Sequence, residues 1–137
     1  ASNLRKAIRT SQKVSEGYRR SRLLGEKILD RAQGFVQDER NADSLRTLVK
    51  LDELKFPPTE PLLDRRVRLM EILEKRWKEA RAEARDLELS NKLAAAASKL
   101  EVILKEYPHP EWEKQIRDDI GRVWRRIQGP GGGTPNP

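Results

Sequence analysis

Between Leu4 and Phe35 the chain repeats in sevens. Leu4, Ala7, Ser11, Val14, Tyr18, Ser21, Gly25, Ile28, Ala32 and Phe35 hold one unbroken register of alternating three- and four-residue steps. Side chains return to one face at that period only in a helix, so five heptads fix the segment, about residues 4–40, as helical. Ile8, Leu29 and Val36 widen the stripe. Its composition is unusual, because Ser11, Ser21, Gly25 and Ala32 let a neighbour approach closely but bury little. Gly17, Gly25 and Gly34 each weaken a helix by about 1 kcal/mol relative to Ala. Such a helix needs something to pack against.

The remaining pattern is helical too. A short element over about 43–54 carries Leu45, Leu48, Val49 and Leu54, with Asn41 or Asp43 placed to cap it, and Phe56-Pro57-Pro58 ends it. Thr59-Glu60-Pro61 opens the next helix, with Thr59 as the expected cap. After Pro61 neither Gly nor Pro occurs until Pro108. A single helix over 60–107 would be about 72 Å long, against a diameter of about 37 Å for a compact domain of this size. The weakest point is Ser90-Asn91, but both are poor breakers. The expectation is one long or slightly bent helix. Pro110 starts the last helix, 110–128, where Trp112, Ile116, Ile120, Val123 and Ile127 share a face. Residues 129–137 (GPGGGTPNP) read as a flexible tail or linker. The fold expected is an all-α, elongated antiparallel bundle or coiled-coil-like hairpin, a single domain over 1–128 and a module of a longer protein.

Several classes of function are set aside by what is missing. With no Cys and one His in 137 residues there is no disulfide framework, thiol nucleophile or multi-histidine metal centre. His109 sits between two prolines and reads as a turn or cap residue. Asp118-Asp119 point roughly 100° apart on a helix and cannot share a substrate. Glu79 and Glu83 lie among Lys78, Arg81 and Arg85 as on a solvated face, and Ser90 has no His near it. The glycines at 131–133 follow no strand and open no helix, so they are no phosphate loop. The expectation is a non-enzyme with no cofactor, no metal and no small-molecule substrate. Without a signal peptide or an apolar run of about 18 residues, it is expected to be intracellular, cytoplasmic or nuclear.

Charge is the remaining signal. Residues 1–42 hold ten Lys/Arg against five Asp/Glu, so a net +5 of the chain's formal +7 lies there. Arg5, Lys6, Arg9, Lys13, Arg19, Arg20 and Lys27 are candidates for contacting phosphates or another acidic surface, although their angles are read as spreading over more than one face. A second candidate site is Trp124 beside Arg122, Arg125 and Arg126, since exposed Trp and Arg commonly anchor interfaces. Three functions remain in order of preference. The first is a protein–protein interaction module (scaffold, adaptor or assembly subunit) that buries a helix stripe on a partner or a second copy. The second is nucleic-acid binding by the basic first helix, residues 1–28. An anionic membrane surface comes third, because no strongly hydrophobic face accompanies the cations.

Overall fold

The computed structural model describes residues 2–129, with the side chain of Ser2 excepted; the expected tail at 130–137 lies outside the described residues. Those residues form five α-helices and one 3-10 turn, without strands. They are α1 (Ser2–Gln37), α2 (Asn41–Val49) running into the turn Lys50–Glu53, α3 (Glu60–Leu89), α4 (Leu93–Glu106) and α5 (Pro110–Gln128). The protein is all-α, and its helices pack as a bundle.

Neighbours in sequence run antiparallel. Ser44 Oγ donates to Ala32 O at 2.9 Å, which lays α2 back along α1. Arg65 meets Asp30 at 2.8 Å and Arg76 donates to Val36 O at 2.9 Å, so α3 follows α1 in the same direction. On the other half of α3, Trp77 stacks on Trp112 (5.2 Å) and Arg81 pairs with Asp119, so α5 also follows α3, with α4 returning between them. Thus α3 is shared by two three-helix groups. Their junction is polar: Asn41 Nδ2 donates to Tyr107 Oη at 3.1 Å, while Arg76 Nη1 donates to Asn41 Oδ1 at 2.9 Å.

The heptad stripe of α1 is buried only in its second half and is centred slightly off the expected register. Gly25, Leu29, Ala32 and Val36 are buried, whereas Ile28 and Phe35 are half-buried. Close approach explains two glycines, Gly17, where a Cβ would press into the Phe56 ring, and Gly25. A Cβ on Gly25 would lie 2.9 Å from Leu62 Cδ1, while one on Gly34 would meet nothing.

Where one helix was expected over 60–107, the chain breaks at Ser90–Lys92. Asn91 takes φ 61°, the left-handed region that Asn tolerates second only to Gly. The N–H groups of Asn91 and Lys92 then donate to Glu88 O (3.0 Å) and Leu87 O (2.9 Å), which satisfies carbonyls at the helix end. The reversal lets Ala96, Ala97, Leu100 and Ile103 reach the core, which a straight rod would have left in water. The end of α1 repeats the device with Glu39 at φ 59°, and with Arg40 and Glu39 donating to Phe35 O and Val36 O.

Helix starts differ from expectation as well. Thr59 stands at the cap of α3 but makes no side-chain cap bond, and Arg40, not Asn41 or Asp43, stands at the cap of α2. His109 occupies the cap position of α5 with its ring stacked 4.3 Å from that of Trp112. On α5 itself, Trp112, Ile116, Asp119 and Val123 are buried; Ile120 is half-buried, and Ile127 is exposed rather than docked.

Candidate interaction surfaces

The candidate site on α5 resolves into an internal lock and an exposed remainder. Glu88 is the last acid of α3 and only 2% exposed. It continues the buried stripe of Leu69, Leu73, Trp77 and Ala84, and so points at α5. Arg122 grips it with two bonds, Nη2 to Oε1 at 2.7 Å and Nε to Oε2 at 3.1 Å. Arg85 Nη1 adds a bond to Oε1 (3.0 Å), and Arg126 Nη1 reaches both Oε2 (3.3 Å) and the Glu88 carbonyl (3.1 Å). Arg122 also donates to Asp119 (3.0 Å), which Arg81 clasps from α3 at 2.7 and 3.1 Å.

Donation from Arg122, chiefly, holds the Glu88 carboxyl down at about 2, against the opposing effect of burial. The same contacts raise Arg122 and Arg81 above the ordinary guanidinium range. A carboxylate saturated by three guanidiniums has no lone pair left to take a proton from a substrate. This cluster ties α3 to α5 and is not arranged as an acid–base centre.

Arg122 and Arg126 are therefore engaged with Glu88, though still partly exposed, while Trp124 (45% exposed) and Arg125 face solvent with Ile127 beside them. A shallow cavity of about 570 Å³ lies between Asn91, Leu93 and the three arginines. The sequence carried one signal for the lock: a lone acid, Glu88, at the next position of an apolar stripe.

On α1 the first half of the helix is uncovered. Residues 3–16 are exposed throughout, and the first packing is at Gly17, Tyr18 and Ser21 against Phe56. Tyr18 lies 4.3 Å from the Phe56 ring, and Ser21 Oγ donates to Phe56 O at 3.0 Å. At 100° per residue, Leu4, Ala7, Ser11, Val14 and Tyr18 prolong the line of Gly25, Leu29, Ala32 and Val36. Thus the seam that packs in the bundle runs on beyond Tyr18, from Val14 back to Leu4, for about 15 Å with nothing against it. Leu4, Ile8, Val14 and Tyr18 are all among the large exposed apolar side chains. The flanks beside this stretch, Ile8, Thr10, Ser15 and Gly17, carry no charge.

The cations of α1 are more ordered than the sequence reading held. Lys6, Lys13, Arg20 and Lys27 recur at intervals of seven, which puts them in a row confined to about 60° of arc, on the side of α1 opposite the seam. Arg5 and Arg9 lie close to that row, and Arg19 stands apart from it. The expected spread over several faces thus applies to Arg19 alone. Among the described residues none of the nine Lys/Arg of α1 forms an ion pair, whereas the bundle's own arginines largely do.

No group of three His, Cys, Asp or Glu among the described residues is placed to hold a metal ion. No described helix is long and apolar enough to cross a membrane. Comparison with protein-family models, with curated proteins and with solved structures finds no match to this chain.

Proposed function

We propose that the protein is a non-enzymatic helical interaction module whose α1 seam takes up another helix, that of a second copy. One observation carries this reading: an apolar seam already used for packing continues past the end of the bundle uncovered, through Leu4 and Val14 with Ile8 at its flank. Small residues at Ala7 and Ser11 permit close approach of two backbones, and the uncharged flanks let two copies of a basic helix meet without like charges at the edge. Lys6, Lys13, Arg20 and Lys27 project from the far side, where they are solvated and screened, whereas Arg22 lies on the seam side at the bundle end, beyond the stretch that would pair. The paired length is short, so the association is expected to be weak and concentration-dependent.

Sedimentation velocity of the full chain from about 5 to 500 μM at 150 mM salt tests it. A reversible monomer–dimer shift is expected. It should vanish in the Ile8→Gln, Val14→Gln double variant, which removes apolar surface while keeping good helix formers. A wild-type chain that stays monomeric over the whole range, or a dimer indifferent to the double variant, refutes the reading.

A further inference from the structure

The row of cations on α1 calls for a different partner from the seam. Lys6, Lys13, Arg20 and Lys27 stand about 10.5 Å apart along some 32 Å of helix, with no acid paired to any of them among the described residues. At its bundle end the row meets Arg31 and Lys50 at the rim of a groove of about 360 Å³ between α1 and the 3-10 turn. Five unpaired cations on one side of α1, joined by Lys50 of the adjoining 3-10 turn, form a strip of positive potential, and 32 Å is the length of nine to ten base pairs of duplex at about 3.4 Å each.

We infer that this row binds the phosphate backbone of double-stranded nucleic acid, independently of the seam. Two features favour phosphates over an anionic membrane. An amphipathic helix on a bilayer buries its apolar face, and here that would turn the cation row away from the lipid into water. A duplex needs only the row and leaves the seam free. The groove floor is Leu24, Ile28 and Leu54, without an aromatic side chain to stack on a base and with no side chain arranged for base edges. Binding is therefore independent of sequence. Glu16 lies between Lys13 and Arg20 along the axis, about 20° outside the arc of the row, and Glu53 lines the groove; both oppose the interaction.

Fluorescence anisotropy of the full chain with a labelled 20-base-pair duplex, titrated between 50 and 200 mM salt, reads the proposal directly. Four phosphate contacts imply a slope of about −3.6 in log K against log salt, a loss of about 150-fold over that range. The variant K6A/K13A/R20A/K27A is expected to bind at least tenfold more weakly at 50 mM salt and to have a much flatter slope. The charge-matched control R68A/K75A/K105A/R117A, made at exposed positions elsewhere, is expected to stay within about threefold of wild type. Glu16→Gln should tighten binding a few-fold. The seam variant Ile8→Gln, Val14→Gln should bind duplex like wild type, whatever it does to self-association, which keeps the two readings apart. Equal losses in the row and control variants would show that only net charge is read, and would overturn the proposal. So would no binding at 50 mM salt, or row-dependent binding to phosphatidylserine-containing vesicles in place of duplex.

Discussion

Glu88→Gln is the substitution from which the structure yields the clearest number. Glutamine keeps the shape and hydrogen-bonding reach of the side chain but resembles the protonated acid, so it removes the charge and little else. In the folded protein the Glu88 carboxyl sits at about 2, against an ordinary value of 4.5. At about 1.4 kcal/mol per unit, the charged form contributes about 3 kcal/mol to stability at neutral pH. That is an upper figure, because Arg85, Arg122 and Arg126 are each more than a third exposed and can turn to water once the carboxylate is gone. A loss of 2–3 kcal/mol corresponds to roughly 10 °C in Tm for a chain of this size.

The pH dependence is the sharper test. A folded-state value depressed below the unfolded one stabilises fully above about pH 4.5 and ceases to as pH falls towards 2. Urea unfolding of wild type and variant at matched pH should therefore show a gap of 2–3 kcal/mol at pH 7 that narrows below about pH 4.5 and closes only as pH falls below about 2. Other acids titrate in the same range, but they do so in both proteins and cancel in the difference. A gap below 0.5 kcal/mol at pH 7, or one that does not change with pH, would refute the assignment of Glu88 as the charged centre of the lock.

Three further outcomes are expected. Gly34→Ala should raise stability by about 0.5–1 kcal/mol, since a Cβ there meets nothing, while Gly25→Val should cost about 1–3 kcal/mol by pressing on Leu62, Leu54 and Leu51; thermal melts separate the two signs. Glu39→Gly should stabilise by about 0.5–1 kcal/mol in chemical denaturation, because the residue sits at φ 59° where a side chain is strained. Trp112→Ala should lose about 3–5 kcal/mol by opening the stack with Trp77 and His109, and Trp124→Ala less than about 1 kcal/mol; equal shifts in Tm would contradict the packing.

Periodicity made the helices legible, and geometry that periodicity does not encode accounts for the misses. Five heptads sufficed for α1, and Pro110 with the Trp112 stripe fixed the limits of α5. The stop at Asn91 escaped because Asn is tolerated equally in a solvated helix face and in a left-handed cap; only the burial of Ala96 to Ile103 decides between them. Gly25 and Gly34 look alike in the chain, and Leu62 alone makes one of them necessary. Arg122 and Arg126 read as interface residues because a charge cluster in sequence does not show whether its counter-ion is a distant Glu88 or a partner. The cation row stands in the sequence at 6, 13, 20 and 27, a period that a segment's net charge does not express.

The uncovered start of α1 has a thermodynamic signature of its own. An isolated helix of about 15 residues must form its first turn unaided, and that step is strongly unfavourable. Here the turn already exists, held by Gly17, Tyr18 and Ser21 against Phe56, so residues 2–16 only lengthen a helix that the bundle has begun. Each added residue contributes close to zero net free energy, and the boundary between helix and coil is free to move along the segment. Heating should draw that boundary back toward Gly17 one residue at a time, giving helical ellipticity a sloping baseline well below the cooperative melt. Covering either side of α1 would pin the boundary near Ser2 and flatten that slope.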